Sequence, residues 1–215
     1  MNRLLSAISI GISSFVATNL DDIVILTIFF SQVSSTFRRR HIVLGQYLGF
    51  AVLLLASLPG YFGGLVLPRA WVGLLGFLPI WIGIRQLLNR EAGNPEVQAV
   101  SSELTFGRKS ATTSFCASIL NPQTYQVAAV TVANGGDNVG LYIPLFASSS
   151  FPRLVVTVST FLILVGVWCW VAERLTRQTA IAALLARYGQ FVMPFASIGL
   201  GLYILADSGT PNILR

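Results

Sequence analysis

Residues 16–30 read VATNLDDIVILTIFF, which places two adjacent acids, Asp21 and Asp22, inside an otherwise apolar run. A second stretch, residues 132–146, reads VANGGDNVGLYIPLF. At a fixed offset of 116 residues, Val16 meets Val132, Ala17 meets Ala133, Asp21 meets Asp137, Asp22 meets Asn138 and Phe30 meets Phe146. At nearly the same offset, Pro79 and Gly83 resemble Pro194 and Gly199. The chain therefore reads as two weakly similar halves, each beginning with a long apolar segment that carries an acid.

The composition says what surrounds these segments. Of 215 residues, 54% are hydrophobic and 10% charged, against about 25% charged in ordinary soluble domains. The mean hydropathy is +0.72. Too little charge is present to coat a soluble globule, and disorder or a small disulfide scaffold is excluded with it. A helical span needs about 20 mainly apolar residues. Six segments qualify, at approximately 5–31, 42–67, 71–88, 122–147, 154–173 and 189–206. Runs such as FAVLLLASLPGYFGGLVL at 50–67 do not alternate, so a β-barrel is rejected.

The expected fold is all-α and integral to the membrane: six transmembrane helices, arranged as two inverted three-helix repeats. Three is an odd number, so the second repeat enters from the opposite side of the bilayer. Residues 1–215 form one transmembrane domain, with repeat one at about 5–88, a loop at 89–110 and repeat two at about 111–206.

The net charge of +6 is explained by topology, and no nucleic-acid partner is expected. Nine basic residues (Arg38, Arg39, Arg40, Arg90, Arg108, Lys109, Arg174, Arg177 and Arg187) fall in the odd loops. Four (Arg3, Arg69, Arg153 and Arg215) fall on the other side, and Arg85 lies near the inner end of the third span. Cytoplasmic loops are enriched in Lys and Arg, so the odd loops are expected in the cytoplasm and both termini outside. Cys116 and Cys169 are distant from each other in apolar surroundings and read as packing. Trp71, Trp81, Trp168 and Trp170 read mostly as anchors at the membrane interface.

An ionised acid at mid-span costs roughly 2.5–3.5 kcal/mol on insertion scales. Asp21, Asp22 and Asp137 together would cost on the order of 10 kcal/mol without partners. No base lies at mid-span to neutralise them, so the missing positive charge is a proton or a bound cation. Thr18, Asn19, Asn134 and Asn138 offer side-chain oxygens within a turn of the acids. Gly135 and Gly136 weaken the helix before Asp137 and permit backbone carbonyls to face the site. Carboxylate, amide and carbonyl oxygens make a hard-cation cage. Tyr142 lies one turn beyond Asn138 and reaches the site or packs in the core. Asn121-Pro122 reads as a helix start, with Gln123 beside it, either a plain cap or the lining of an inner vestibule. Inverted repeats in secondary transporters meet near the midplane, with the substrate site on broken helices. No P-loop pattern is present, so an ion gradient supplies the energy.

At these residues the sequence resembles a known family. TNLDD at 18–22, NGGDN at 134–138 with Tyr142, and LPIWIGIRQLL at 78–88 are similar to the cadmium resistance transporter family, within the wider lysine exporter superfamily of six-helix carriers. Asn121-Pro122-Gln123 is similar to that superfamily's Asn-Pro-Lys element, with Gln in place of Lys. The resemblance implies export of divalent metal across a bacterial plasma membrane, with cadmium as the named ion. It also implies kinship with exchangers that carry manganese or calcium against protons. Asp21, Asp22, Asp137, Asn134 and Asn138 are the expected substrate-site residues. Thr18, Asn19, Gly135, Gly136, Tyr142, Asn121 and Gln123 form a secondary set.

The expected function is secondary transport of a divalent cation (cadmium-like, or manganese, zinc or calcium) by proton antiport. The cation is cargo, and no cofactor and no enzymatic activity are expected. Homo-oligomerisation is left open. Two alternatives stand beside this: an exporter of amino acids or small organic cations from the same superfamily, and a membrane interaction protein that transports nothing. Cadmium is soft and favours Cys or His, whereas the mid-span polar set here is all oxygen.

Overall fold

The computed structural model describes residues 2–88, 121–177 and 194–208. The expected loop at 89–110, the segment 111–120, Cys116 and the start of the sixth expected span lie outside the described residues. Within them the chain is all helical. The elements are α1 (Asn2–Asn19), α2 (Asp22–Ser31), α3 (Arg39–Val66), α4 (Arg69–Leu74), α5 (Phe77–Leu88), α6 (Pro122–Asn134), α7 (Gly136–Ala147), α8 (Phe151–Leu175) and α9 (Pro194–Asp207).

Among the described residues, three segments are long and apolar enough to cross a membrane: α3, α8 and the stretch Trp71–Leu88 that includes α5. The α1–α2 pair, bent by 63°, makes a fourth if it is one broken span. Of the remaining two expected spans, α6–α7 is interrupted at Gly135, and the described part of the sixth is helix from Pro194 to Asp207. The chain is a multi-pass membrane protein.

Two parallel pairs dominate the packing. Helix α3 runs alongside α6–α7, and its glycines set the distance. A methyl group on Gly45 would stand 2.6 Å from the Thr124 carbonyl oxygen, and one on Gly49 would stand 2.7 Å from that of Ala128. Small residues four apart let helix backbones approach this closely. Helix α8 runs alongside α1–α2 in the same manner. Phe15 meets Phe161, Trp168 meets Asn19, and Cys169 packs with Leu26 and Phe30. The two pairs are antiparallel to each other, since along α3 Arg39 meets Glu173 of α8 and Tyr47 then donates to the Leu162 carbonyl at 3.0 Å.

The centre of the bundle is aromatic. Tyr142 is fully buried among Phe50, Phe146 and Phe161. Ion pairs lie at the two ends: Arg39 with Glu173 where α3 begins and α8 ends, and Arg153 with Asp207 at 3.1 Å where α8 begins and α9 ends. Arg38, Arg39, Arg40, Arg174 and Arg177 thus gather at one end of the bundle.

Candidate cation site

The two broken segments place their breaks side by side. In the first, Thr18, Asn19 and Asp21 are residues whose short polar side chains compete with the backbone for hydrogen bonds. Thr18 Oγ1 donates back to the Ser14 carbonyl at 2.9 Å, and Asn19 Nδ2 to that of Phe15, also at 2.9 Å. Helix α1 stops there. Asp21 then caps α2, its Oδ1 accepting from the Asp22 backbone nitrogen at 3.1 Å. The terminal carbonyl of Asn19 is met by the Trp168 indole N–H at 2.7 Å.

The second break is gentler. Gly135 (φ −88°, ψ 11°) separates α6 from α7, while its nitrogen still donates to the Thr131 carbonyl at 2.8 Å. A side chain on Gly135 would strike Leu53 of α3, so close packing explains this glycine, whereas Gly136 is exposed. Asp22 and Asp137 both stand in the first turn of the helix after a break, where the positive end of the helix dipole favours negative charge.

The structure brings Asp21, Asp22 and Asn134 together. Asn134 Nδ2 donates to Asp21 Oδ2 at 3.2 Å and to Asp22 Oδ1 at 2.7 Å. Asp22 is 4% exposed. Its other oxygen, Oδ2, accepts from Gln46 Nε2 at 3.3 Å, and Gln46 Oε1 in turn accepts from Thr131 Oγ1 at 2.6 Å. Asp22 is therefore wrapped by amides from α3 and α6. No Lys, Arg or His pairs with either acid among the described residues.

Asp137 is not joined to this group by a hydrogen bond. It is exposed and stands in the first turn of α7, beyond the second break. Among the described residues, no three His, Cys, Asp or Glu side chains are grouped closely enough to hold a metal by themselves. Any ion seated here would complete its shell with amide and hydroxyl oxygens.

Such oxygens are present. Asn19 and Asn138 are each 1% exposed, and the Oδ1 atom of each is buried with no hydrogen-bond partner. The orientation of Asn19 is fixed, because the Phe15 carbonyl it faces can only accept. Buried polar atoms are normally satisfied, so two orphaned amide oxygens, one beside each break, have the chemistry of cation ligands. Tyr142 links the breaks: its hydroxyl lies 2.9 Å from Thr18 Oγ1 and accepts from Asn19 Nδ2 at 3.0 Å. Tyr142 thus both packs in the core and reaches the site.

Asn121 and Gln123 stand apart. Asn121 caps α6 through Oδ1, with Pro122 in the first turn, and Gln123 Oε1 lies 3.0 Å from His41 Nδ1. Thirteen residues of helix separate Asn121 from Asn134, about 20 Å at the α-helical rise.

Three contributors were not among the expected site residues: Gln46, Thr131 and Trp168. Gln46 could have been noticed as the one amide within the apolar run from Ile42 to Ala56. Trp168 is no interfacial anchor, because its indole N–H is spent inside the bundle on Asn19.

A cavity of about 270 Å³ adjoins the group, between α1, α7 and α9. Ser13, Ser14, Thr18, Ser197 and Tyr203 are its polar lining, against Leu141 and Leu200. It reaches Thr18, and so ends next to the hydroxyl of Tyr142.

No curated protein and no solved structure matches the chain. The family model described as cadmium resistance transporter matches residues 15–215, a span that contains both breaks, all three acids and the amides around them. The chain belongs to the cadmium resistance transporter family.

Proposed function

We propose that this chain is a secondary transporter that exports a divalent cation through the Asp21–Asp22 group, with protons as the coupling ion. One observation carries the reading. Two adjacent carboxylates, one of them 4% exposed, sit at a helix break with only neutral amide and backbone donors for partners. Buried charge persists only where it is paired or can be neutralised. A divalent ion supplies the missing charge on loading, and protons supply it after release.

The architecture proposed is six spans in two inverted repeats, with the site near the midplane. It is supported by the antiparallel course of the two broken segments, since Thr18 meets Tyr142 while Asp22 meets Asn134. Alternate exposure follows from rocking the α3/α6–α7 pair against the α1–α2/α8 pair. The Arg-rich end is assigned to the cytoplasm of a bacterial cell, and both termini to the outside.

The donor set is oxygen throughout, so hard ions such as manganese or calcium are preferred over cadmium, which the site accepts without selecting. The test is flux in sealed proteoliposomes. Wild-type protein is expected to move manganese with an opposing proton flux, and Asp22→Asn to move none while still inserting. Metal flux by Asp22→Asn at the wild-type rate would end the assignment.

A second reading, export of an amino acid or small organic cation, has its place in the cavity at Thr18, whose 270 Å³ falls just short of the roughly 300 Å³ at which organic-ligand pockets begin. Competition of metal flux by amino acids separates the two.

A further inference from the structure

The cation reading leaves one question: what occupies the space between Asp21 and Asp22 when no cargo is there. We propose that the Asn134 amide is a two-position switch. Its nitrogen donates to both acids when protons have replaced the cargo, and its oxygen becomes a ligand in the loaded carrier. This rests on the proposed cation site and adds the device that regulates it.

The geometry points to this residue and to no other amide. Asn134 Nδ2 lies 3.2 Å from one carboxylate and 2.7 Å from the other. An –NH2 group has two hydrogens, and here each is directed to a different acid. The amide nitrogen thus bridges the two carboxyl groups, the position a cation would take. A half-turn of the amide about its Cβ–Cγ bond exchanges Nδ2 for Oδ1 and turns a donor to the acids into a co-ligand with them.

Gln46 is the internal comparison. It also donates to Asp22, but its oxygen is held by Thr131 at 2.6 Å. Turning Gln46 would set its oxygen against the Asp22 carboxylate and oblige the Thr131 hydroxyl to turn to the Val127 carbonyl 2.9 Å away, two changes where Asn134 needs one, so Gln46 positions Asp22 and does not switch. Asn134 has no second anchor: among the described residues, its Oδ1 accepts no hydrogen bond. Its backbone is also at the right place. It is the last residue of α6, joined to Gly135, where the helix is interrupted. The orphaned oxygens of Asn19 and Asn138 supply further ligands on either side of the same pair of breaks.

The test separates two modes of transport in proteoliposomes. Manganese–manganese exchange needs only the loaded carrier to cross. Net efflux also needs the carrier to return without metal. Asn134→Asp keeps an oxygen ligand but abolishes the donor. It is expected to retain exchange and to lose net efflux by about tenfold or more, as befits a lost hydrogen bond to a charged group. Asn134→Leu removes both functions and is expected to weaken manganese binding by about tenfold and to slow both modes. Thermal unfolding and size-exclusion profiles check that each variant is folded.

Net efflux within twofold of wild type in Asn134→Asp, or a parallel fall of both modes in that variant, would overturn the switch while leaving the cation site intact. Failure of the wild-type protein to bind manganese, calcium or cadmium would overturn the site and the switch together.

Discussion

Trp168 donates its indole N–H to the backbone carbonyl of Asn19 at 2.7 Å. The bond crosses from α8 to the last residue of α1, so one of the carbonyls that a helix terminus leaves without an intrahelical partner is satisfied by a distant side chain. At the proposed midplane position no water substitutes for that partner. The break before Asp21 is therefore held by α8. Trp168→Phe keeps the packing against Phe15 and removes the donor. The expected cost is roughly 1–3 kcal/mol for a stranded buried carbonyl, read as a lower unfolding temperature in detergent, together with slower metal flux.

Gln46 and Thr131 act on Asp22 as a relay. Gln46→Leu preserves most of the side-chain volume on α3 and deletes the donor to Asp22 Oδ2. Divalent affinity is expected to change by about tenfold or less, because the carboxylate itself remains. Gln46→Glu sets a third carboxylate against Asp22. Thermal stability without metal is expected to fall, and added manganese or calcium to restore it more strongly than in wild-type protein, since binding to the folded state alone raises apparent stability. Titrating each ion against unfolding temperature in the two variants checks both statements.

Helix α3 delivers Gln46 because it can lie against α6. Gly49→Leu drives a side chain into the Ala128 carbonyl and Thr131. Overpacking of this kind costs about 1–3 kcal/mol, and here it also pushes Gln46 away from Thr131 and Asp22. The expected result is loss of metal flux even in the fraction that remains folded. Gly63→Ala is the control, for nothing stands within 4 Å of its added methyl. It should leave both stability and flux near wild type.

How far the sequence discloses this site follows from the kind of information each residue carries. Asp21, Asp22 and the Thr-Asn before them are conspicuous because they are polar in an apolar run, and polarity there has a known energetic cost. The repeat of the pattern at 132–146 makes Asn134 conspicuous for the same reason. Gln46 is equally polar, yet a single amide in a long helix does not say which neighbour it faces. That direction depends on the close seating of Gly45 and Gly49 on α6. The state of Asp137 is of the same type: its place after a glycine break is visible in the sequence, but its exposure and lack of a hydrogen bond to the other acids come from packing between segments 116 residues apart. Trp168 misleads a reader for a third reason. A tryptophan near a span end has a generic role as an anchor, and only the fold shows its N–H turned inward.

The unequal surroundings of the three acids give the sharpest ordering of variants. Asp22 is buried, holds two side-chain amides and faces α3 and α6. Asp21 is half-buried and shares one amide with it. Asp137 is exposed and makes no hydrogen bond to either of them, so at most its charge reaches them across the break. If the cation is held chiefly by the first two, substitution by Asn should weaken divalent binding most at Asp22, less at Asp21 and least at Asp137. A charge acting through space is also screened by salt, whereas a direct ligand is not. The effect of Asp137→Asn on affinity should therefore shrink as potassium chloride is raised, while that of Asp22→Asn stays constant. Isothermal titration of manganese at two salt concentrations measures both. An Asp137→Asn defect as large as that of Asp22→Asn, and unchanged by salt, would mean that Asp137 closes onto the ion as a ligand in the loaded carrier.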